Sequence, residues 1–187
     1  MTEIVLFHSA YGLRPAVHDF AEMLSTGGHT VHTPDLYDGE VFDSLTEGAA
    51  KRDEIGIGGL IERASAAVVD LPAELAYAGF SMGCGPAQLL AQTRPGARGA
   101  LLMHGALPSE AFQVAWPAQV ALEIHGMEAD PLFDVEVARQ LVSEAPDGTL
   151  RLYPGAAHLF ADPGLPDGDE AAAALLRERA LALFARL

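Results

Sequence analysis

Ala76-Tyr77-Ala78-Gly79-Phe80-Ser81-Met82-Gly83-Cys84-Gly85 is the stretch that decides the fold. An apolar run, Ala76 to Phe80, enters Gly-x-Ser-x-Gly, and Pro86-Ala87-Gln88-Leu89-Leu90-Ala91 follows with helical character. A strand that turns straight into a helix strains the backbone of the residue at its tip and needs glycine on both sides. In return a hydroxyl stands at the edge of a sheet, with N–H groups of a helix start aimed at whatever binds there. Three fixed positions in five recur by chance, so the surroundings of Ser81 must carry the reading.

Working outward, continuous apolar runs alternate with segments of helical periodicity. Ile4–Phe7 reads as a buried strand, followed by a helix from Arg14 to Thr26 that Gly27-Gly28 stops. Thr30–Thr33 is a short strand ending at Pro34. Tyr37 to Asp70 is helical but broken by Gly56, Gly58 and Gly59, which argues against one clean helix. Glu74–Phe80 is the strand feeding Ser81; Gly99–His104 and Gln119–His125 are two more. A helix over Val135–Ser143, a strand at Thr149–Tyr153, a loop at Asp162–Gly168 and an amphipathic helix over Asp169–Arg186 complete the pattern. Strands without polar alternation are covered on both faces. The expectation is an α/β fold in which residues 1–187 form a single domain, with a mainly parallel six-stranded sheet flanked by helices on both faces.

Half of the 187 residues are apolar and 20% are charged, the composition of a globular chain. A formal net charge of −15 leaves no Lys and Arg clusters for phosphate, which excludes nucleic acid and anionic membrane surfaces as expected partners. Cys84 is the single cysteine, so no internal disulfide can form, as suits a reducing compartment. Met1–His8 has no basic start and reads as a strand rather than a signal peptide, and no apolar stretch reaches membrane-spanning length. A cytoplasmic location is expected.

In a parallel sheet, ligands bind along the edge formed by the carboxyl ends of the strands. Ser81 follows the third strand, Asp130 comes a few residues after the fifth, and His158 follows the sixth, in Tyr153-Pro154-Gly155-Ala156-Ala157-His158. Serine, acid, histidine is the chain order of a nucleophile, an orienting carboxylate and a base built on such a sheet. A serine hydroxyl attacks only when an imidazole accepts its proton, and the imidazole needs a carboxylate to fix its tautomer. Glu128 and Asp134 compete with Asp130 for the acid role. The developing oxyanion needs two N–H donors: Met82, after the nucleophile, and one from the loop His8-Ser9-Ala10-Tyr11-Gly12.

These segments together resemble the dienelactone hydrolase family of α/β-hydrolases, along nearly the whole chain. The resemblance is carried by His8-Ser9-Ala10-Tyr11-Gly12-Leu13, Pro34-Asp35-Leu36-Tyr37, Gly79-Phe80-Ser81-Met82-Gly83, His125-Gly126-Met127-Glu128-Ala129-Asp130-Pro131 and Tyr153-Pro154-Gly155-Ala156-Ala157-His158. It implies Ser81 as nucleophile, Asp130 as orienting acid, His158 as base, and Ala10 and Met82 as the oxyanion N–H donors. The family's founding enzymes use a cysteine where this chain has Ser81 and carry a glutamate in the first loop where it has Ser9. The arginine that follows their catalytic histidine has no counterpart in Leu159-Phe160-Ala161-Asp162. The hydrolytic chemistry transfers; the dienelactone substrate does not.

Cys84, one turn into the helix after Ser81, reads as a packed small side chain rather than a second nucleophile. His8, His104 and His125 fall at strand ends but on separate strands, without the paired spacing of a metal site, so no metal is expected. Trp116 and the phenylalanines read as core. Pocket walls are expected from Tyr11, Leu36, Tyr37 and the segment after His104, largely apolar, which favours a small uncharged ester or lactone. The expected function is hydrolysis of a small carboxylic ester or lactone through a Ser81 acyl-enzyme, without a cofactor, by a monomer or homodimer. The alternatives are a thioesterase, a metal-dependent hydrolase, and a non-catalytic protein of the same fold that binds a small ligand.

Overall fold

The computed structural model describes residues 1–187. Six strands form one sheet: β1 (Glu3–Phe7), β2 (Thr30–His32), β3 (Ala76–Phe80), β4 (Gly99–Met103), β5 (Ala121–Met127) and β6 (Gly148–Tyr153). Every pairing is parallel, in the order β2-β1-β3-β4-β5-β6. Four α-helices lie between strands, α1 (Pro15–Thr26), α2 (Leu45–Ala67), α3 (Cys84–Thr93) and α4 (Val135–Glu144), and α5 (Glu170–Ala185) follows the last strand. No helix is long and apolar enough to cross a membrane.

The period-two alternation of the strands divides the core into two layers. Val5, Phe7, Tyr77, Ala100, Leu102, Leu122 and Ile124 point to the face covered by α2, α3 and α4, where Leu60, Ala64, Leu90 and Leu141 meet them. Ile4, Leu6, Ala76, Ala78, Leu101 and Met103 point to the opposite face and pack on Phe20 and Leu24 of α1 and Leu176 and Phe184 of α5. Burial on both faces is why these strands read as unbroken apolar runs. Local signals set the helix ends. Pro15 opens α1, and Ser44, Asp134 and Asp169 cap α2, α4 and α5 by accepting N–H groups of their first turns.

The irregular stretch after β2 resolves into two parts. Residues 37–44 form no helix or strand, and α2 then runs for 23 residues with a single break, at Gly56 (φ 74°, ψ 157°). Gly58 and Gly59 remain helical. The chain first steps outward from β1 to β2 and then returns across β1 to β3, so the strand order reverses between β1 and β3. Loops leaving the carboxyl ends of these two strands diverge there and open a crevice, the usual ligand position of such sheets.

Candidate active site

The crevice at the reversal point is a cavity of about 560 Å³ whose lining includes Ser81, His158, Ala10 and Met82. Ser81 directly follows β3 as the first residue of the 3₁₀ turn Ser81–Gly83 that leads into α3, with φ 50°. A left-handed backbone costs a non-glycine residue of order 1–3 kcal/mol, and it persists only where packing enforces it. Gly79 and Gly83 supply that enforcement. A Cβ on Gly79 would lie 2.2 Å from the Gly83 carbonyl oxygen, and one on Gly83 would lie 2.6 Å from the carbonyl oxygens of Phe7 and His8. The elbow is pressed against itself and against β1, and only hydrogen fits at both contacts.

Ser81 Oγ lies 2.7 Å from His158 Nε2, and His158 Nδ1 lies 2.7 Å from Asp130 Oδ2. The Asp130 side chain is fully buried, and its other oxygen accepts the Leu132 N–H at 2.8 Å. A carboxylate only accepts, so His158 donates from Nδ1; its Nε2 is then a lone pair that the Ser81 hydroxyl meets as donor. That is the tautomer a general base requires. The loops bearing the two partners are laced together. Ala129 N–H donates to the Gly155 carbonyl at 2.9 Å and Ala157 N–H to Met127 Sδ at 3.2 Å, while within its own loop His158 N–H donates to Asp167 Oδ2 at 3.2 Å. Of the competing acids, Glu128 is exposed, and Asp134 spends its carboxylate on the N–H groups of Glu136 and Val137.

The loop after β1 is fixed just as firmly. His8, fully buried, donates from Nδ1 to the Ser9 carbonyl at 2.7 Å and accepts the Leu36 N–H at Nε2 (3.0 Å). Burial lowers its pKa, so it stays neutral and holds that tautomer. Gly12 N–H donates to the Ser9 carbonyl and Tyr11 N–H to Ser9 Oγ, leaving the Ala10 amide without an acceptor in its own loop. Helix α2 closes over the far side: a Cβ on Gly48 would sit 2.1 Å from the Ala10 carbonyl oxygen.

The cavity wall differs from the sequence expectation. Leu36 and Tyr37 are 1% and 0% exposed and lie in the core beneath α2; Tyr37 Oη contacts the Gly48 carbonyl (3.2 Å) and Met82 Sδ (3.1 Å). They support the site from behind and do not line it. Tyr11 also lies off the cavity, its ring 5.8 Å from the Arg14 guanidinium carbon. The wall is built instead by Leu45, Ala49, Asp53, Ile57 and Ile61 of α2, together with the expected segment after His104, Gly105 to Leu107. The α2 positions repeat every four residues, a signal present in the sequence but interrupted by Arg52-Asp53 and by the glycines.

The remaining reactive side chains have separate places. Cys84 is buried with its single S–H shared between the carbonyls of Gly79 and Met103, each 3.2 Å from Sγ; burial pushes its thiol far up, away from thiolate reactivity. His125 lies inside β5 rather than at its end, and its ring nitrogens meet Tyr153 Oη (2.8 Å) and Glu123 Oε1 (3.0 Å). His104 follows β4 with φ 66°, its ring packed against Phe80 and Phe160 and 6.1 Å from that of His158. Both its ring nitrogens are buried without partners, and desolvation holds its pKa well below the usual histidine value.

The dienelactone hydrolase family model matches residues 1–187, the whole chain. The chain belongs to the dienelactone hydrolase family. Among solved structures, a dienelactone hydrolase-like promiscuous phosphotriesterase from metagenomic libraries is 24% identical, with a TM-score of 0.83 over 100% of this chain and 87% of its own. The dienelactone hydrolase of Anabaena variabilis is 22% identical (TM-score 0.66, covering 99% and 86%). A cold-adapted esterase from an Arctic intertidal metagenomic library is 18% identical (TM-score 0.65, covering 95% and 82%). At these identities the likeness is one of fold. No curated protein sequence matches the chain. Membership of the family makes the chain a hydrolase of the α/β type.

Proposed function

We propose that this chain hydrolyses carboxylic esters through a covalent acyl-enzyme on Ser81. The observation that carries the reading is the unbroken hydrogen-bonded series from Ser81 through His158 to buried Asp130, opening into a cavity. His158 Nε2 takes the hydroxyl proton as Ser81 Oγ bonds to the ester carbonyl carbon, and Asp130 stabilises the imidazolium that forms. The N–H groups of Met82 and Ala10, both beside Ser81 in the cavity lining, receive the negative charge on the carbonyl oxygen. Collapse breaks the bond to the alcohol oxygen, which leaves with the proton from His158. Water, deprotonated by the same imidazole, then cleaves the acyl-enzyme and releases the acid.

A fluorophosphonate probe tests the nucleophile without a guess at the substrate. Labelling should map to Ser81, be absent in Ser81→Ala, and parallel a fall of at least about 10⁴-fold in p-nitrophenyl acetate hydrolysis by that variant. Labelling elsewhere, or a Ser81→Ala enzyme of normal rate, overturns the reading.

A further inference from the structure

Nine large hydrophobic side chains are exposed in this chain, and four of them, Leu45, Ile57, Leu107 and Leu132, line the cavity above Ser81. Ile57 is 68% exposed and Leu132 56%. Solvent-facing apolar groups concentrated around one reactive hydroxyl mark a surface kept for an apolar ligand. The only ion pair within the lining, Arg52 Nε to Asp53 Oδ1 at 2.8 Å, cancels its own charge and leaves no free cation for a carboxylate-bearing substrate. With a molecule the size of water taking ~30 Å³, the 560 Å³ cavity holds roughly fifteen to twenty non-hydrogen atoms, well beyond the needs of an acetyl group.

The two sides of the cavity are not equivalent. Leu132 lies two residues after Asp130, on the side of His158, which must hand a proton to the leaving oxygen. Helix α2 abuts the Ala10 loop, on the side of the oxyanion donors. The alcohol part of an ester therefore leaves past Leu132, and the acyl part lies toward α2. Resting on the hydrolase reading above, we propose that the substrate is an ester with a neutral, unbranched acyl chain of medium length, about six to ten carbons by the volume just given. The chain lies along the Ala49, Ile57 and Ile61 stripe of α2, with Ile57 as a specificity-determining residue.

The test compares p-nitrophenyl esters from acetate to dodecanoate with a series of alkyl acetates. Along the acyl series kcat/KM should rise about two- to fourfold per methylene up to the octanoate, the gain from burying one methylene. The alkyl acetates should differ by less than about threefold across the same range. Ile57→Asp, at an exposed position that tolerates charge, should lower the octanoate-to-acetate ratio by at least about tenfold. A flat or falling acyl profile, a profile that follows the alcohol chain, or an unchanged ratio in Ile57→Asp overturns the proposal. Calorimetry on Ser81→Ala, which should bind without cleaving, separates the two readings. Tighter binding of p-nitrophenyl octanoate than acetate by the variant supports the chain subsite even if the wild-type protein shows no turnover, a result that sinks only the hydrolase reading. Turnover with chain-independent binding sinks only the subsite.

Discussion

The molecule holds two series of hydroxyl, imidazole and carboxylate, and only one opens onto a cavity. Ser81, His158 and Asp130 are joined at 2.7 and 2.7 Å; Tyr153, His125 and Glu123 are joined at 2.8 and 3.0 Å. In both, an accepting carboxylate fixes the imidazole tautomer and turns the free ring nitrogen toward the hydroxyl. The second series is sealed: Tyr153, His125 and Glu123 are 3%, 0% and 5% exposed. Burial would raise the Glu123 carboxyl, but the hydrogen bond from His125 and the charge and hydrogen bond of the Arg151 guanidinium outweigh it and hold it below the ordinary glutamate range. Burial pushes the Tyr153 phenol up, so it stays protonated. Connectivity alone therefore makes a core network. Chemistry needs in addition a strained, cavity-facing hydroxyl, and only the Ser81 series has one.

Removing the orienting carboxylate from each series should separate them most. Asp130→Asn leaves the shape of its site but favours the wrong imidazole tautomer, and should lower kcat for p-nitrophenyl ester hydrolysis by about 10⁴-fold. Glu123→Gln should leave kcat within about fivefold, while costing about 1–3 kcal/mol of stability through the weakened buried network. Steady-state kinetics beside thermal unfolding of both variants decides it. A Glu123→Gln enzyme as slow as Asp130→Asn would mean that the buried series feeds the active one.

The next effect lies in the loop that carries Ala10, the proposed oxyanion donor. Gly48→Ala places a methyl group against the Ala10 carbonyl oxygen, 2.1 Å from where its carbon must sit, so either α2 or the loop has to move. Misplacing one oxyanion donor costs about 10²–10³ in kcat, with KM changed far less. No corresponding glycine guards the Tyr153 series. A Gly48→Ala enzyme with normal kcat would show either that α2 yields in place of the loop or that Ala10 is not the donor.

The two series also differ in how far the sequence reveals them. Ser81 was legible because the elbow is local: Gly79, Gly83 and the apolar strand before them are all within a few residues. The parallel six-stranded sheet, though not its strand order, is legible in the apolar runs, since both faces are buried. The acid was less legible, because Glu128, Asp130 and Asp134 share one short loop and only the turn after Met127 presents Asp130 to His158. The cavity wall is not legible in the sequence, for a tertiary reason. Leu36 and Tyr37 follow a strand end as wall residues would, but β2 is the edge strand, one place beyond β1, and α2 folds over them. His125 reads from the sequence as a strand-end residue for the opposite reason: its hydroxyl partner Tyr153 comes from the neighbouring strand, whose register no local pattern displays.

The smallest effect concerns acid. His8, His104 and His125 are buried and neutral, with pKa values lowered first of all by desolvation. The unfolded chain titrates these imidazoles near pH 6.5, so below that pH it binds protons that the folded state refuses. Their contribution to stability is complete above pH 6.5 and is lost as pH falls from there toward the lowered folded values. Each imidazole that stays neutral in the fold steepens the loss by about 1.4 kcal/mol per pH unit at most. Thermal unfolding between pH 7.5 and 5.0 should show the decline, and His104→Asn should reduce its slope by up to one proton's worth. Asparagine tolerates the left-handed backbone at this position, and the slope is insensitive to the variant's starting stability. An unchanged slope in His104→Asn would mean that the folded protein protonates His104, and that its partnerless ring finds an acceptor when charged.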